Sequence, residues 1–109
     1  MTRCFLCPWL GGDVELTEER ERHIQEQHPD FLPAHRDKLA EVLADPDTVR
    51  RSAVAVTARL FSRWYTDLGI GRHIVVVVVS EGRRFARHWI VTAYMARRLA
   101  EGEVEWERS

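Results

Sequence analysis

Five consecutive valines at residues 75–79 constrain this chain more than any other feature. β-Branched side chains are stiff in a helix and pack well on a pleated surface. The run His73 to Val79 therefore reads as a strand, and its unbroken apolar character makes it a central one, buried on both faces. Such a strand needs a partner on each side. Upstream, residues 58–65 alternate Leu60, Ser62 and Trp64 with Arg59, Phe61, Arg63 and Tyr65. Downstream, residues 85–94 alternate Phe85, Arg87, Trp89, Val91 and Ala93 with Ala86, His88, Ile90, Thr92 and Tyr94. The turn signals Asp67-Leu68-Gly69-Ile70-Gly71 and Ser80-Glu81-Gly82-Arg83 join the three into an antiparallel meander. Residues 48–56 read as a short leading strand, 95–100 as a helical turn or loop, and Val104 with Trp106 as a last edge strand.

Two helices precede the sheet. Thr17 is suited to cap a helix whose first turn carries Glu18 and Glu19, both favourable at the positive helix end. Between Glu18 and His28 only Ile24 is plainly apolar, too little burial to hold a helix of that length in place. A second helix, starting near Pro33, places Leu32, Leu39, Val42 and Leu43 on one stripe and stops at Asp45-Pro46-Asp47.

The N-terminal quarter carries metal-ligand types. Cys4 and Cys7 form C-x2-C, fifteen residues lie between Cys7 and His23, and His23 and His28 form H-x4-H. Zn²⁺ favours four such ligands in a tetrahedron. Helix positions five apart differ by about 140° around the axis, so both imidazoles reach one ion only if the helix ends between them. Pro29 disfavours the helical conformation at His28 and provides that end. The expectation is a structural zinc knuckle, with Cys4, Cys7, His23 and His28 as ligands and His23 anchoring the first helix. The gap exceeds the spacer of about 12 residues of a nucleic-acid-reading finger. An unmetallated buried pair and a redox pair are the alternatives.

A chain of 109 residues fits one α+β domain, divided into a zinc-binding element (1–28), a helix (29–47) and an antiparallel sheet (48–107). Residues 1–3 lead into Cys4 without an apolar signal region, and no run has the roughly 18 apolar residues of a membrane span. The expectation is a cytoplasmic protein, where the cysteines are thiolate ligands rather than a disulfide. The formal net charge is −1, yet it is segregated: residues 1–48 carry −6, residues 49–98 carry +8 and residues 99–109 carry −3. Clustered guanidinium groups suit phosphate recognition, which makes RNA a candidate partner and Arg50, Arg51, Arg63 and Arg87 its candidate contacts. Lys38 is the only lysine, so a general preference for arginine accounts for the same pattern.

The order of several short motifs resembles a known group. H23-I-Q-E-Q-H28-P-D, L43-A-D-P-D, L60-F-S-R-W-Y65, the valine strand, T92-A-Y94 and G102-E-V-E-W106 are similar to small bacterial and phage-associated proteins of the barnase, EndoU, colicin and RelE-like nuclease superfamily. The similarity covers roughly residues 15–107. It implies helices packed on an antiparallel sheet and metal-independent RNA cleavage, often as a toxin or phage-type effector with an antitoxin partner. This chain departs from the pattern in its C-x2-C and in reading HPD where HPE is commoner. Zinc held by His23 and His28 would also remove both from proton transfer.

Cleavage by a ribose 2′-hydroxyl needs a proton acceptor, a donor for the leaving oxygen and cations for the developing charge. His88, Thr92 and Tyr94, on one face of a strand, with Arg63 to steady the phosphate, are the candidate catalytic group. The rival reading is a non-catalytic, zinc-stabilised protein interaction module.

Overall fold

The computed structural model describes residues 2–68, 71–82 and 86–108. Gly69 and Ile70 of the first predicted turn, and Arg83, Arg84 and Phe85 around the second, lie outside the described residues. The element order is β1 (Arg3–Cys7), a 3₁₀ turn (Pro8–Leu10), β2 (Gly12–Leu16), α1 (Glu18–Gln27), α2 (Arg36–Ala44), β3 (Thr48–Ser52), β4 (Ala58–Tyr65), β5 (Arg72–Glu81), β6 (Arg87–Ala96) and β7 (Gly102–Glu107). All seven strands join one sheet in the order β1-β2-β6-β5-β4-β3-β7. The fold is α+β.

β5 is central, as its valines require, and pairs antiparallel with β4 and β6 along nearly its whole length. Directly paired residues point to the same face. One face therefore carries Phe61, Tyr65, Ile74, Val76, Val78, Ile90 and Ala93, all buried. Leu39, Val42 and Leu43 of α2 pack onto it and complete the core, so it is the α2 face. The opposite face carries Val75, Val77 and Val79. Val75 is buried, but Val77 and Val79 are half-buried, so burial of β5 on both faces is only partly realised.

The first correction concerns the N-terminus. Residues 3–16 form a β-hairpin, closed by the 3₁₀ turn and by Gly11 at φ 72°, a conformation that favours glycine, and the described residues do not support the expected zinc knuckle. Strand side chains alternate, so Cys4 and Cys7, three apart, point to opposite faces: Cys4 is exposed and Cys7 enters the core. A second correction follows from how the hairpin joins the sheet. β2 lies parallel to β6, through Val14–His88 and Glu15–Trp89, so the sheet is mixed rather than antiparallel.

α1 begins at the expected cap, where the Thr17 hydroxyl accepts from the Arg20 amide at 3.2 Å, and it ends at His28, before Pro29. Ile24 is its only buried residue among those described. Glu21 supplies further anchorage by accepting from Arg3 at 3.0 Å and from Arg36 at 2.8 Å. His23 is exposed, so an ion pair across three elements does what metal ligation through His23 was expected to do. α2 starts at Arg36, later than Pro33 suggested, because the segment before it is a turn that buries Phe31 and Leu32.

Two bulges set which side chains meet. In β6, Val77 pairs with Thr92 and Val78 with Ile90, leaving Val91 unpaired. The phase of the strand flips there: His88 and Ile90 face α2 with Ala93, while Thr92 and Tyr94 face the other way. In β7, Val49 pairs with Trp106 and Arg50 with Val104, which leaves Glu105 as the extra residue. Glu105 accepts from Arg51 at 2.9 Å and from Arg59 at 2.8 Å. Arg51 and Arg59 are direct cross-strand partners, an arrangement of like charges that is unfavourable without a shared anion.

Phe61 lies at the centre of the core, edge-on to Trp9 with ring centroids 6.0 Å apart. Phe61→Ala is expected to destabilise the fold by about 3–5 kcal/mol, measured by urea unfolding. Burial pushes the Glu105 carboxyl up, but hydrogen bonds and charge from Arg51 and Arg59 outweigh it and hold the pKa below the usual value. A depressed pKa contributes stability above the unfolded-state value, lost as pH falls through the folded-state value. Glu105→Gln should therefore lower the melting temperature at neutral pH, with the difference from the parent chain shrinking in acid. A constant difference across the acid range would refute this linkage.

Candidate functional site

The opposite face of the sheet gathers the polar side chains that the core excludes. Its cross-strand rows are Trp64, His73 and Ala96; Thr48, Ser62, Val75 and Tyr94; and Arg50, Leu60, Val77 and Thr92. The rows bring a hydroxyl pair, an arginine, an imidazole, a threonine and a phenol onto one surface. The Thr48 and Ser62 hydroxyls are 2.7 Å apart. Trp64 is 42% exposed, an indole open to stacking, and it meets His73 edge-on at 4.8 Å between ring centroids. Gly71, at φ 108°, lies under that indole, where any Cβ would collide with the ring.

His28 completes the group from outside the sheet. As the C-cap of α1 it leaves the helix with extended-side geometry, φ −130° and ψ 65°, and its ring centroid lies 5.8 Å from that of Tyr94. Residues far apart in sequence thus set an imidazole against a phenol. Burial raises the Tyr94 pKa, so the phenol keeps its proton at neutral pH. Burial lowers the His73 pKa, with Asp47 opposing and Arg50 assisting, so His73 is predominantly neutral there. Arg50 donates from Nη1 to the Ala100 carbonyl at 3.1 Å, which ties the β6–β7 connection to this face. Its Nε is buried with no hydrogen-bond partner among the described residues.

The predicted catalytic group is divided by the β6 bulge. Thr92 and Tyr94 lie together on the opposite face. His88 is on the α2 face, 8% exposed, with Nδ1 2.6 Å from Ser80 Oγ; burial, then the Arg59 charge, lower its pKa. Arg63 is also on the α2 face, where its Nη1 lies 3.6 Å from an Asp45 carboxylate oxygen. The sheet positions of Ser80 and Ile74, paired near His88 and Arg63, are six residues apart, about 20 Å along a strand.

The predicted phosphate contacts are mostly occupied. Arg51 is paired with Glu105, Arg63 with Asp45, and Arg87 with Glu15 at 2.7 Å. Arg50 and Arg87 both lie on the opposite face, and of the four Arg50 alone has an unused buried donor. Arg97 and Arg98, just beyond β6, are exposed and without an ion pair among the described residues. The charge blocks of the sequence are therefore largely complementary partners within the fold rather than one free cationic surface.

The four expected zinc ligands do not converge: among the described residues no group of three or more His, Cys, Asp or Glu side chains is placed to hold a metal ion. The sequence pattern pointed to His28 as a metal ligand and to His73 as a residue at the rim of the sheet, and did not single out Thr48 or Ser62. Nothing local marks Thr48 and Ser62, because strand register brings them into the row.

Cys7 is fully buried, and burial raises its thiol pKa despite hydrogen bonds from the Trp9 and Leu10 backbone. A thiol-specific reagent should modify Cys4 rapidly in the folded, reduced chain and Cys7 only on unfolding. Protection of both cysteines, released together by chelator, would instead show a shared metal. No helix among the described residues is long and apolar enough to cross a membrane. No protein-family model, curated protein or solved structure matches the chain.

Proposed function

We propose that the opposite face of the sheet binds single-stranded RNA and cleaves it as a metal-independent endoribonuclease of the toxin or phage-effector kind. The observation that carries this reading is the approach of His28 to Tyr94 beside Thr92. An imidazole exchanges protons near neutrality and a protonated phenol donates one, while Arg50, farther along the same face, is placed to hold another phosphate of the strand. In the proposed step His28 takes the proton of a ribose 2′-hydroxyl, whose oxygen attacks the adjacent phosphorus. The bond to the 5′-oxygen breaks, and that oxygen receives the Tyr94 proton. The products are a 2′,3′-cyclic phosphate and a 5′-hydroxyl.

The surroundings suit an extended strand. Thr92 and Arg50 occupy one cross-strand row three strand spacings apart, about 14 Å between backbones, wider than a single phosphate. Exposed Trp64 and half-buried Trp89 offer stacking surfaces for bases. The motif similarity to the nuclease superfamily supports the same reaction class, with His28 in place of His88 and Arg50 in place of Arg63.

The test is incubation of the full chain with mixed RNA in chelator, with His28→Ala, Tyr94→Phe, Thr92→Ala and Arg50→Ala alongside. The parent should yield 2′,3′-cyclic ends, and His28→Ala and Tyr94→Phe should each lose about 10²-fold or more in rate. Binding should weaken with salt as counterions are released. Equal inactivity of parent and variants across several RNA classes would instead indicate a non-catalytic interaction module.

A further inference from the structure

β7 ends the strand order, so its outer edge is unpaired among the described residues. Beside that edge is a cavity of about 320 Å³ lined by Pro8, Trp9, Ala44, Asp45, Pro46 and Trp106. Trp106 is 38% exposed. Trp9 is held from below by Phe61 and flanked by Arg59, whose guanidinium lies 5.2 Å from the indole centroid. The groove is thus a fixed aromatic cleft beside an open row of backbone donors and acceptors.

Charge selects what fits there. Glu103 and Glu107 on β7 are exposed and have no ion pair among the described residues, and exposed Glu101 precedes them. Glu105 points inward to Arg51 and Arg59. A second copy of the chain added antiparallel along this edge would set glutamates against glutamates, which is unfavourable. RNA is repelled by the same residues. An extended segment bearing lysine or arginine meets no such penalty.

We propose that the β7 edge takes up an extended basic segment of a partner protein as an eighth strand, with one of its apolar side chains seated between Trp9 and Trp106. Strand addition supplies affinity through backbone hydrogen bonds, and the pocket supplies specificity. This surface is separate from the His28–Tyr94 site, so either reading stands or fails without the other.

The probe is a short synthetic peptide of alternating lysine and valine, with a glutamate–valine peptide as control, titrated into the full chain. Tryptophan fluorescence and backbone amide shifts are followed. The lysine peptide should move the amides of residues 102–107, and the glutamate peptide should not. Trp106→Ala and the double variant Glu103→Lys with Glu107→Lys should each weaken binding by about tenfold or more, with circular dichroism confirming the fold. Absence of binding, shifts confined to another surface, equal affinity of the charge-reversed variant, or association of the chain with itself through β7 would overturn the proposal.

Discussion

The pairing of β5 with both its neighbours is the constraint on which the rest of the molecule depends. A run of branched side chains has only one comfortable backbone state, and once extended it must satisfy hydrogen bonds on both edges. β4 and β6 supply them, and their register then dictates every other assignment. Phe61 and Tyr65 face α2 because Val76 and Arg72 do. Tyr94 faces away from α2 because Val75, not Val76, is its partner. One additional residue in β6 converts a strand with a single polar stripe into one that delivers His88 to one side of the sheet and Thr92 with Tyr94 to the other.

Electrostatics act as a sorting rule within this frame. The acidic first and last segments contribute Glu15, Asp45 and Glu105 as partners for Arg87, Arg63, Arg51 and Arg59 of the basic middle. Exposed pairs of this kind add little stability individually, about 0–1 kcal/mol. Their distribution still favours the native arrangement, since arginine-rich strands avoid one another unless a carboxylate intervenes. The aromatic neighbours of Arg59, Arg63 and Arg87 hold the planar head groups in place for that pairing.

Much of the architecture was legible in the residues. Alternation placed β4, the valine run placed β5, Thr17 and Pro29 bounded α1, and Asp45-Pro46 stopped α2. Val104 and Trp106 marked β7 as an edge. The hairpin at 3–16 has its own signal in Gly11-Gly12 followed by alternating Val14 and Leu16, but the metal-ligand spacing of C-x2-C competes with it. The bulges were not legible, since an unpaired residue is defined by the partner strand and leaves no local mark. For that reason Thr92 and Tyr94 were expected to share a face with His88, which the bulge in β6 turns to the other side of the sheet.

The joint between β2 and β6 is only two residue pairs long, yet it links positions 14 and 88. Closing a loop of that size costs about 4 kcal/mol in chain entropy, more than two backbone rungs recover at about 1 kcal/mol per hydrogen bond. The balance comes from apolar surface under the joint, chiefly Cys7, Val14, Leu16 and Ile24, all fully buried. The N-terminal hairpin is therefore a flap fastened by its underside rather than by its seam. Opening it would expose Cys7, Val14 and Leu16, which belong to the same buried cluster as Phe61, Val76 and Ile90, so the flap is coupled to the rest of the molecule through the core.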